Sequence, residues 1–209
     1  MNLVDKVKRR LFRPSETLDG YEHPELVDVI FRKTLSFNPR DDWPEMRGVA
    51  TVLDFGGGAG RHYKQANSET VRWAVVETAA MVDRAKVLAT DRLQFFTDVS
   101  SAVGWLGSVE VMHSDGAVQY TPDPLETVRI LCNIGAKKMV WHRVLFSDDP
   151  HAEMQSSYLG DNGPGSLSVT EKIVRYKRTA INRAAFLAAR EAYSLDDSGE
   201  DWFRFKAPL

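Results

Sequence analysis

A chain of 209 residues with 27 Lys+Arg against 29 Asp+Glu carries a formal charge of −2, which excludes a strongly basic nucleic-acid-binding tail. With 43% hydrophobic and 27% charged residues it has the make-up of one soluble globular domain, with enough chain to bury a full core. Its one cysteine, Cys132, offers neither an internal disulfide nor a CxxC pair for redox chemistry or zinc. In chain order, residues 1–13 come first. There Lys6, Lys8, Arg9, Arg10 and Arg13 interleave with Leu3, Val4, Val7, Leu11 and Phe12 at helical spacing. Such a face either touches an anionic membrane surface or partner peripherally, or is a solvated basic cap. No apolar run approaches the ~20 residues that span a bilayer, and no signal-peptide core is present. The expectation is therefore no stable membrane insertion and a cytoplasmic protein.

Pro24 to Leu35 carries Leu26, Val27, Ile30, Phe31 and Leu35 at helical spacing, with Pro24 suited to a first turn. Pro39 and Pro44 then break the pattern. From Gly48 onward short apolar runs alternate with helical segments. Strands are expected over 49–53, 72–76, 93–96, 109–112 and 138–144, and helices over 79–89, 99–106 and 125–134. That order marks an α/β fold, a parallel sheet with helices on both faces. Residues 146–168 are polar and rich in Ser, Asp, Gly and Pro, and read as a long loop of the kind that is functional or mobile. Beyond it come an extended piece around Ile173, Val174 and Tyr176, a helix over 183–191 capped by Asn182, and a closing hairpin from 193–195 and 202–205. The chain thus divides into a helical cap, 1–47, and a main domain, 48–209, in which 146–181 is the variable substrate-side segment.

The most informative segment is Thr51-Val-Leu-Asp54-Phe55-Gly56-Gly57-Gly58-Ala-Gly60. An apolar strand enters a turn of four glycines in five residues, where backbone can approach a ligand that any Cβ would obstruct. As a dinucleotide fingerprint the fit is poor. GxGxxG started at Gly56 meets Arg61, and started at Gly58 meets Tyr63, where the last glycine belongs. The spacing that fits is D-x-G-x-G-x-G over Asp54, Gly56, Gly58 and Gly60.

That spacing resembles motif I of the class I S-adenosylmethionine-dependent methyltransferases. A narrower resemblance, over residues 20–158, is to methyltransferases encoded among bacterial cell-surface polysaccharide genes. It rests on Gly20-Tyr21, Asp54 to Gly60, Trp73-Ala-Val-Val-Glu77, Ser114-Asp-Gly-Ala-Val-Gln119-Tyr120-Thr-Pro-Asp-Pro124, and Arg143 with Gln155. The resemblance implies a Rossmann-like class I methyltransferase fold, a seven-stranded, mostly parallel sheet with an antiparallel last strand, roofed by N-terminal helices. It implies S-adenosylmethionine as cofactor and methyl transfer to a small-molecule acceptor, in the main O-methylation of a saccharide or other polar metabolite. S-adenosylmethionine carries no phosphate but a cationic amine and sulfonium, so a carboxylate at Asp54 would suit it. Glu77 would accept from ribose hydroxyls or else cap the next helix, and Asp98 would receive the adenine amino group, cap a helix, or both. The cofactor set so implied is Asp54, Phe55, Gly56, Gly58, Gly60, Tyr63, Glu77, Thr78, Asp98, Val99, His113 and Ser114.

Methyl transfer draws most of its rate from positioning, but a hydroxyl acceptor must lose a proton, for which a histidine is apt. His113 and His142 sit late in strands whose carboxyl ends bind ligands in doubly wound sheets, and with Tyr120 they are the catalytic candidates. His62 reads as a helix-start residue at the methionine end of the cofactor. Tyr120, Arg143, His151 and Arg178 are the substrate-binding candidates. The five histidines show no metal-ligand spacing, so no metal is expected. Lys172, Arg175, Lys177, Arg178 and Arg183 form a local basic run that suits an anionic acceptor; RNA is the lesser reading, and no nucleic-acid partner is expected. The rival functions are an NAD(P)-dependent oxidoreductase and a catalytically silent nucleotide-binding module. The sequence leaves the oligomeric state open.

Overall fold

The computed structural model describes residues 16–39, 43, 46–165, 167 and 171–207. The basic amphipathic stretch over 1–13 lies outside the described residues. In chain order the elements are β1 (Glu16–Asp19), α1 (Pro24–Ser36), β2 (Thr51–Phe55), α2 (Arg61–Ala66), β3 (Arg72–Val76), α3 (Ala79–Ala85), β4 (Leu93–Phe96), α4 (Val99–Leu106), β5 (Val111–Asp115), α5 (Pro124–Cys132), β6 (Lys138–His142), β7 (Ala152–Tyr158), β8 (Lys172–Thr179), α6 (Arg183–Ala188), β9 (Ser194–Ser198) and β10 (Phe203–Lys206). Caps set several helix starts. Thr78, Asp98, Asp123 and Asn182 each accept a backbone N–H from the first turn, and Pro24 and Pro124 occupy opening positions that need no N–H donor.

The main sheet has seven strands in the order β4-β3-β2-β5-β6-β10-β9. The first five are parallel to one another, and β10 runs antiparallel to both β6 and β9. Residues alternate between its faces with period two. Val52, Trp73, Val75, Val111 and Val140 join the core under α1 and α3, while Leu53, Ala74, Val76, Met112, Met139 and Trp141 join the core under α4, α5 and α6. Both faces are covered, which is why these strands read as near-continuous apolar runs. Truncating a fully buried residue such as Leu53 to Ala costs about 2–5 kcal/mol.

Several boundaries move: the strand expected over 138–144 ends at His142, and the helices over 125–134 and 183–191 end at Cys132 and Ala188. β2 begins at Thr51 rather than 49, because Ala50 N–H goes to the Glu110 carboxylate at 2.7 Å. The expected strand over 109–112 lies at Val111–Asp115, in register with β2. The helix expected over 79–89 ends at Ala85 and continues as one 3-10 turn, Lys86–Leu88.

Residues 146–168 are not simply a loop. They contain β7, which pairs antiparallel with β8, while β8 pairs in parallel with β1. This second sheet, β1-β8-β7, ties the start of the described chain to the segment after β6. Its core is Leu18, Leu26, Val29, Leu159, Val174 and Tyr176. Helix α1 serves both layers, with Val27 and Phe31 against the main sheet and Leu26 and Val29 against the small one. It wedges the small sheet over one end of the large one.

Candidate functional site

The glycine turn follows β2 at the carboxyl edge of the main sheet. Gly56, Gly58 and Gly60 take φ of 74°, 59° and 87°, a region that side chains disfavour. Space is a second constraint. A Cβ on Gly56 would lie 2.1 Å from the Ala117 Cβ, and one on Gly57 would lie 2.2 Å from Asp54 Oδ2. At the end of β3 the Glu77 carboxylate closes on the turn, accepting Gly58 N–H at 3.0 Å and Thr78 N–H at 2.8 Å. Burial pushes the Glu77 carboxyl upward, and these two donors oppose that rise.

Two cavities open on either side of this contact. One, of about 320 Å³, is lined by Phe55, Val76, Thr97, Ala117 and Pro122 and is the more apolar. The other, of about 430 Å³, reaches from Gly57 and Gly58 to Arg61, His62, Asp115 and Arg143, with Gln155, Ser157 and Tyr176 of the small sheet opposite. Tyr21, Gly56, Glu77, Thr78, Gly116 and Tyr120 line both. Tyr21, Tyr120 and Tyr176 form an aromatic trio with ring centroids 4.5–5.4 Å apart. Tyr120 donates its hydroxyl proton to Gln155 Oε1 at 2.7 Å. A third cavity, of about 650 Å³, adjoins the second through Arg61 and Pro164.

Beneath the turn lies a buried charged network. Asp54, 0% exposed, accepts from His113 Nδ1 at 2.8 Å, His62 Nδ1 at 2.9 Å and Trp73 Nε1 at 3.2 Å. His62 Nε2 lies 3.5 Å from Asp115 Oδ2, and the Arg143 guanidinium donates through Nε to the other oxygen of Asp115. Burial alone would raise Asp54 and lower His62. The pairing wins, holding Asp54 far below the usual carboxylate range and His62 up at about 9. His113 moves the other way, lowered by burial and then by the His62 charge, and so is neutral. Asp115 is likewise held down against burial by His62 and Arg143. The result is an alternating row, Asp54⁻, His62⁺, Asp115⁻, Arg143⁺, running from the interior to the cavity wall. Arg143 has φ 52°, rare for a residue with a side chain, and its carbonyl accepts from Gln119 Nε2 at 3.1 Å.

Of the residues picked from sequence, Phe55, Gly56, Gly58, Glu77, Thr78, Tyr120 and Arg143 line these cavities. Others do not. Asp54 sits below the turn with its oxygens taken by side chains, so it supports the turn rather than meeting a ligand. His113 is 1% exposed in the same network, and Ser114 beside it is buried. His142 packs its ring 5.8 Å from that of His113 and lines neither cavity. Gly60 packs near Leu93 and Phe95, Tyr63 packs edge-on against Trp73, and Val99 joins the core. Asp98 is exposed and caps α4 through Ser101 N–H at 2.8 Å, while its neighbour Thr97 lines the apolar cavity. His151 is exposed and bonded to Asp149 O. Arg178 pairs with Glu153 and reaches the cavity only through Gln155, at 3.1 Å.

The basic run is also redistributed. Lys172 is held by Glu16 and Glu25, Arg183 by the carbonyls of Gly199 and Glu200, and Arg175 and Lys177 point outward on β8. The absence of ligand spacing among the histidines is corrected in space. Asp54, His62 and His113 bring their polar atoms within 4.8 Å of one another, though at hydrogen-bonding separations. Sequence reasoning missed Asp115 and Thr97 as cavity residues, although each ends or follows a strand at the sheet's carboxyl edge, where ligands bind.

Among solved structures that resemble the chain is the PH0226 protein from Pyrococcus horikoshii OT3, with a TM-score of 0.52 at 10% identity over 78% of this chain and 85% of that one. Another is the glycopeptide N-methyltransferase MtfA complexed with S-adenosyl-L-methionine, with a TM-score of 0.50 at 11% identity over 88% and 95%. The fold is that of the class I methyltransferases. No protein-family model matches the sequence, and no curated protein matches it. No helix among the described residues is long and apolar enough to cross a membrane.

Proposed function

We propose that the protein transfers a methyl group from S-adenosylmethionine to a small polar acceptor, a saccharide or similar metabolite bearing an anionic group. The observation that carries this reading is the Glu77 carboxylate closed on Gly58 N–H at the junction of two cavities. In a dinucleotide site the amides of the turn face a pyrophosphate. Here the Glu77 carboxylate takes the Gly58 amide, which then has no N–H to offer a pyrophosphate, and presents acceptor oxygens for ribose hydroxyls. The residues fit such a group. Gly56 and Gly58 keep the turn free of Cβ atoms, Glu77 accepts from hydroxyls, Phe55, Val76, Thr97 and Ala117 bound the apolar cavity for an adenine, and Asp115 presents charge near a cationic sulfur or amine.

When bound, S-adenosylmethionine supplies an electrophilic methyl group. The chain's own contribution is to hold the acceptor in line and to exclude water, with Tyr21, Tyr120 and Tyr176 as the wall opposite the turn. His62, charged to about pH 9, is an acid partner for Asp115 and not a base at neutral pH. His113 is neutral but walled off by Asp54. Rate enhancement then rests on positioning rather than on a histidine base, and a hydroxyl acceptor's proton, made acidic once the oxygen carries the methyl group, leaves to solvent.

Calorimetric titration with S-adenosylmethionine, S-adenosylhomocysteine and NAD tests the cofactor. Saturable binding of the first two without NAD is expected, and NAD binding alone sinks the proposal. Release of S-adenosylhomocysteine over an acceptor panel separates an enzyme from a silent binding module.

A further inference from the structure

The cavity of about 650 Å³ next to the proposed reaction cavity is not accounted for by cofactor binding. Three cationic residues line it, Arg32 and Lys33 from α1 and Arg61 from α2, and among the described residues no carboxylate does. Their existing partners leave much of that charge unspent. Lys33 donates to two carbonyls, Gly160 O at 2.7 Å and Asn162 O at 2.6 Å; burial lowers its ammonium from the usual lysine range, and the charge of Asp161 opposes that fall. Arg32 pairs with Asp28 on its own helix but stays more than half exposed.

Arg61 is the decisive residue. It lines both this cavity and the reaction cavity, and its Nε is buried without a hydrogen-bond partner. Its nearest acid oxygen, Asp115 Oδ2, is 4.0 Å away, and the same carboxylate already serves His62 and Arg143. The guanidinium as a whole is 36% exposed and faces the Phe37 ring of the same cavity at 5.7 Å rather than a close carboxylate, so its charge is open to a ligand acceptor. Gln65, Ser36 and Asn38 add neutral polar groups to the same wall.

We infer that this cavity binds an oxyanion carried by the acceptor, a phosphoryl or carboxylate group, with Arg61 as the bridge between that anion and the group to be methylated. A guanidinium matches either oxyanion through paired N–H donors. The acceptor would lie across Arg61, its neutral portion against the tyrosine trio and its anion among Arg32, Lys33 and Arg61. This inference rests on the methyl-transfer reading for its placement in a reaction, but the anion site stands on its own lining.

The test is calorimetric titration of the full chain, with and without S-adenosylhomocysteine, using inorganic pyrophosphate, glucuronate and, as neutral control, glucose. Saturable binding of pyrophosphate or glucuronate is expected, and whichever binds identifies the anion class. Arg61→Gln should weaken it by about tenfold or more, the loss of one charge-assisted contact. Arg61→Lys should recover part of it, and Arg32→Gln, which lines only the anion cavity, should weaken it less while leaving S-adenosylhomocysteine affinity within about twofold of wild type. Absence of saturable anion binding to the wild type overturns the inference. So does an Arg61→Gln variant that loses S-adenosylhomocysteine as strongly as the anion, which would give Arg61 to the cofactor carboxylate. Failure of S-adenosylhomocysteine to bind the wild type instead strikes the methyl-transfer reading, and the anion titration without it still decides the site.

Discussion

His62 Nδ1 lies 2.9 Å from Asp54 Oδ2, joining β2 to the first turn of α2 across the glycine turn, with both side chains buried. The pair does mechanical work. Asp54 Oδ2 occupies the space a Cβ on Gly57 would need, so the turn is folded down onto a carboxylate that His62, His113 and Trp73 hold in place. Binding chemistry at the top of the turn and ion pairing below it are therefore one structure.

That pairing makes stability fall as pH rises from 6.5 to about 9. His62 is raised from 6.5 to about 9 in the folded chain, so in that window the folded state holds a proton the unfolded state has lost. The contribution, about 3 kcal/mol at most, is fully present below 6.5 and gone above the folded value. Asp54, shifted downward, adds the mirror effect: its share is present at neutral pH and lost on strong acidification. Urea melts across that range should show a falling midpoint in wild type and a flatter one in His62→Gln. A flat wild-type curve would mean His62 is not a buried cation.

The glycines should differ in tolerance. Gly57→Ala drives a Cβ onto the Asp54 carboxylate and Gly56→Ala one onto Ala117, so each should cost several kcal/mol or prevent folding. A Cβ on Gly58 meets only Ile30 Cγ2 at 3.6 Å, leaving the strain of φ 59°, about 1–2 kcal/mol. Thermal melts of the three variants give the ranking. Gly57 does not have a positive φ, so a loss at Gly57→Ala no larger than at Gly58→Ala would show that the turn shifts to admit the Cβ and that the underlying carboxylate does not set the cost.

Glu77→Gln tests the lip of the turn. It keeps an oxygen for one backbone N–H but loses the charge, and each charge-assisted hydrogen bond to a ribose hydroxyl is worth about 1.5–3 kcal/mol. S-adenosylhomocysteine should therefore bind roughly ten- to a hundredfold more weakly, measured by calorimetry, with the fold intact by circular dichroism. Unchanged affinity would reduce Glu77 to a brace for Gly58 and Thr78.

Legibility in the sequence followed how local each signal was. The glycine turn and Glu77 could be read because a strand, a turn needing positive φ and a following strand end have fixed spacing. The hairpin of β9 and β10 was readable from its aromatic strand, although β9 itself is exposed throughout. Strand β7 was hidden because it is a sheet edge: Ala-Glu-Met-Gln-Ser-Ser-Tyr faces solvent over most of its length and shows no apolar alternation. The Asp54 network was hidden for another reason. Its three ligand-like groups come from β2, α2 and β5, and only the parallel register of Asp54 with His113 brings them together. The misplaced histidine candidates follow from this, since a strand-end position does not reveal which face a side chain takes. His113 shares the face of Val111, under α1, and not the cavity.

Tyr120→Phe separates acceptor binding from chemistry. The hydroxyl donates to Gln155 Oε1 at 2.7 Å, which Arg178 also holds at 3.1 Å, so its loss frees one side of the Gln155 amide while leaving the Tyr21 and Tyr176 ring contacts in place. A neutral hydrogen bond contributes about 0.5–1.5 kcal/mol, so the acceptor KM should rise about two- to tenfold with kcat and S-adenosylhomocysteine affinity little changed. Steady-state kinetics with an acceptor from the panel read this directly. A fall in kcat at constant KM would instead bring the Tyr120 hydroxyl into contact with the reacting oxygen, because only an interaction gained on the way to the transition state lowers turnover without weakening binding.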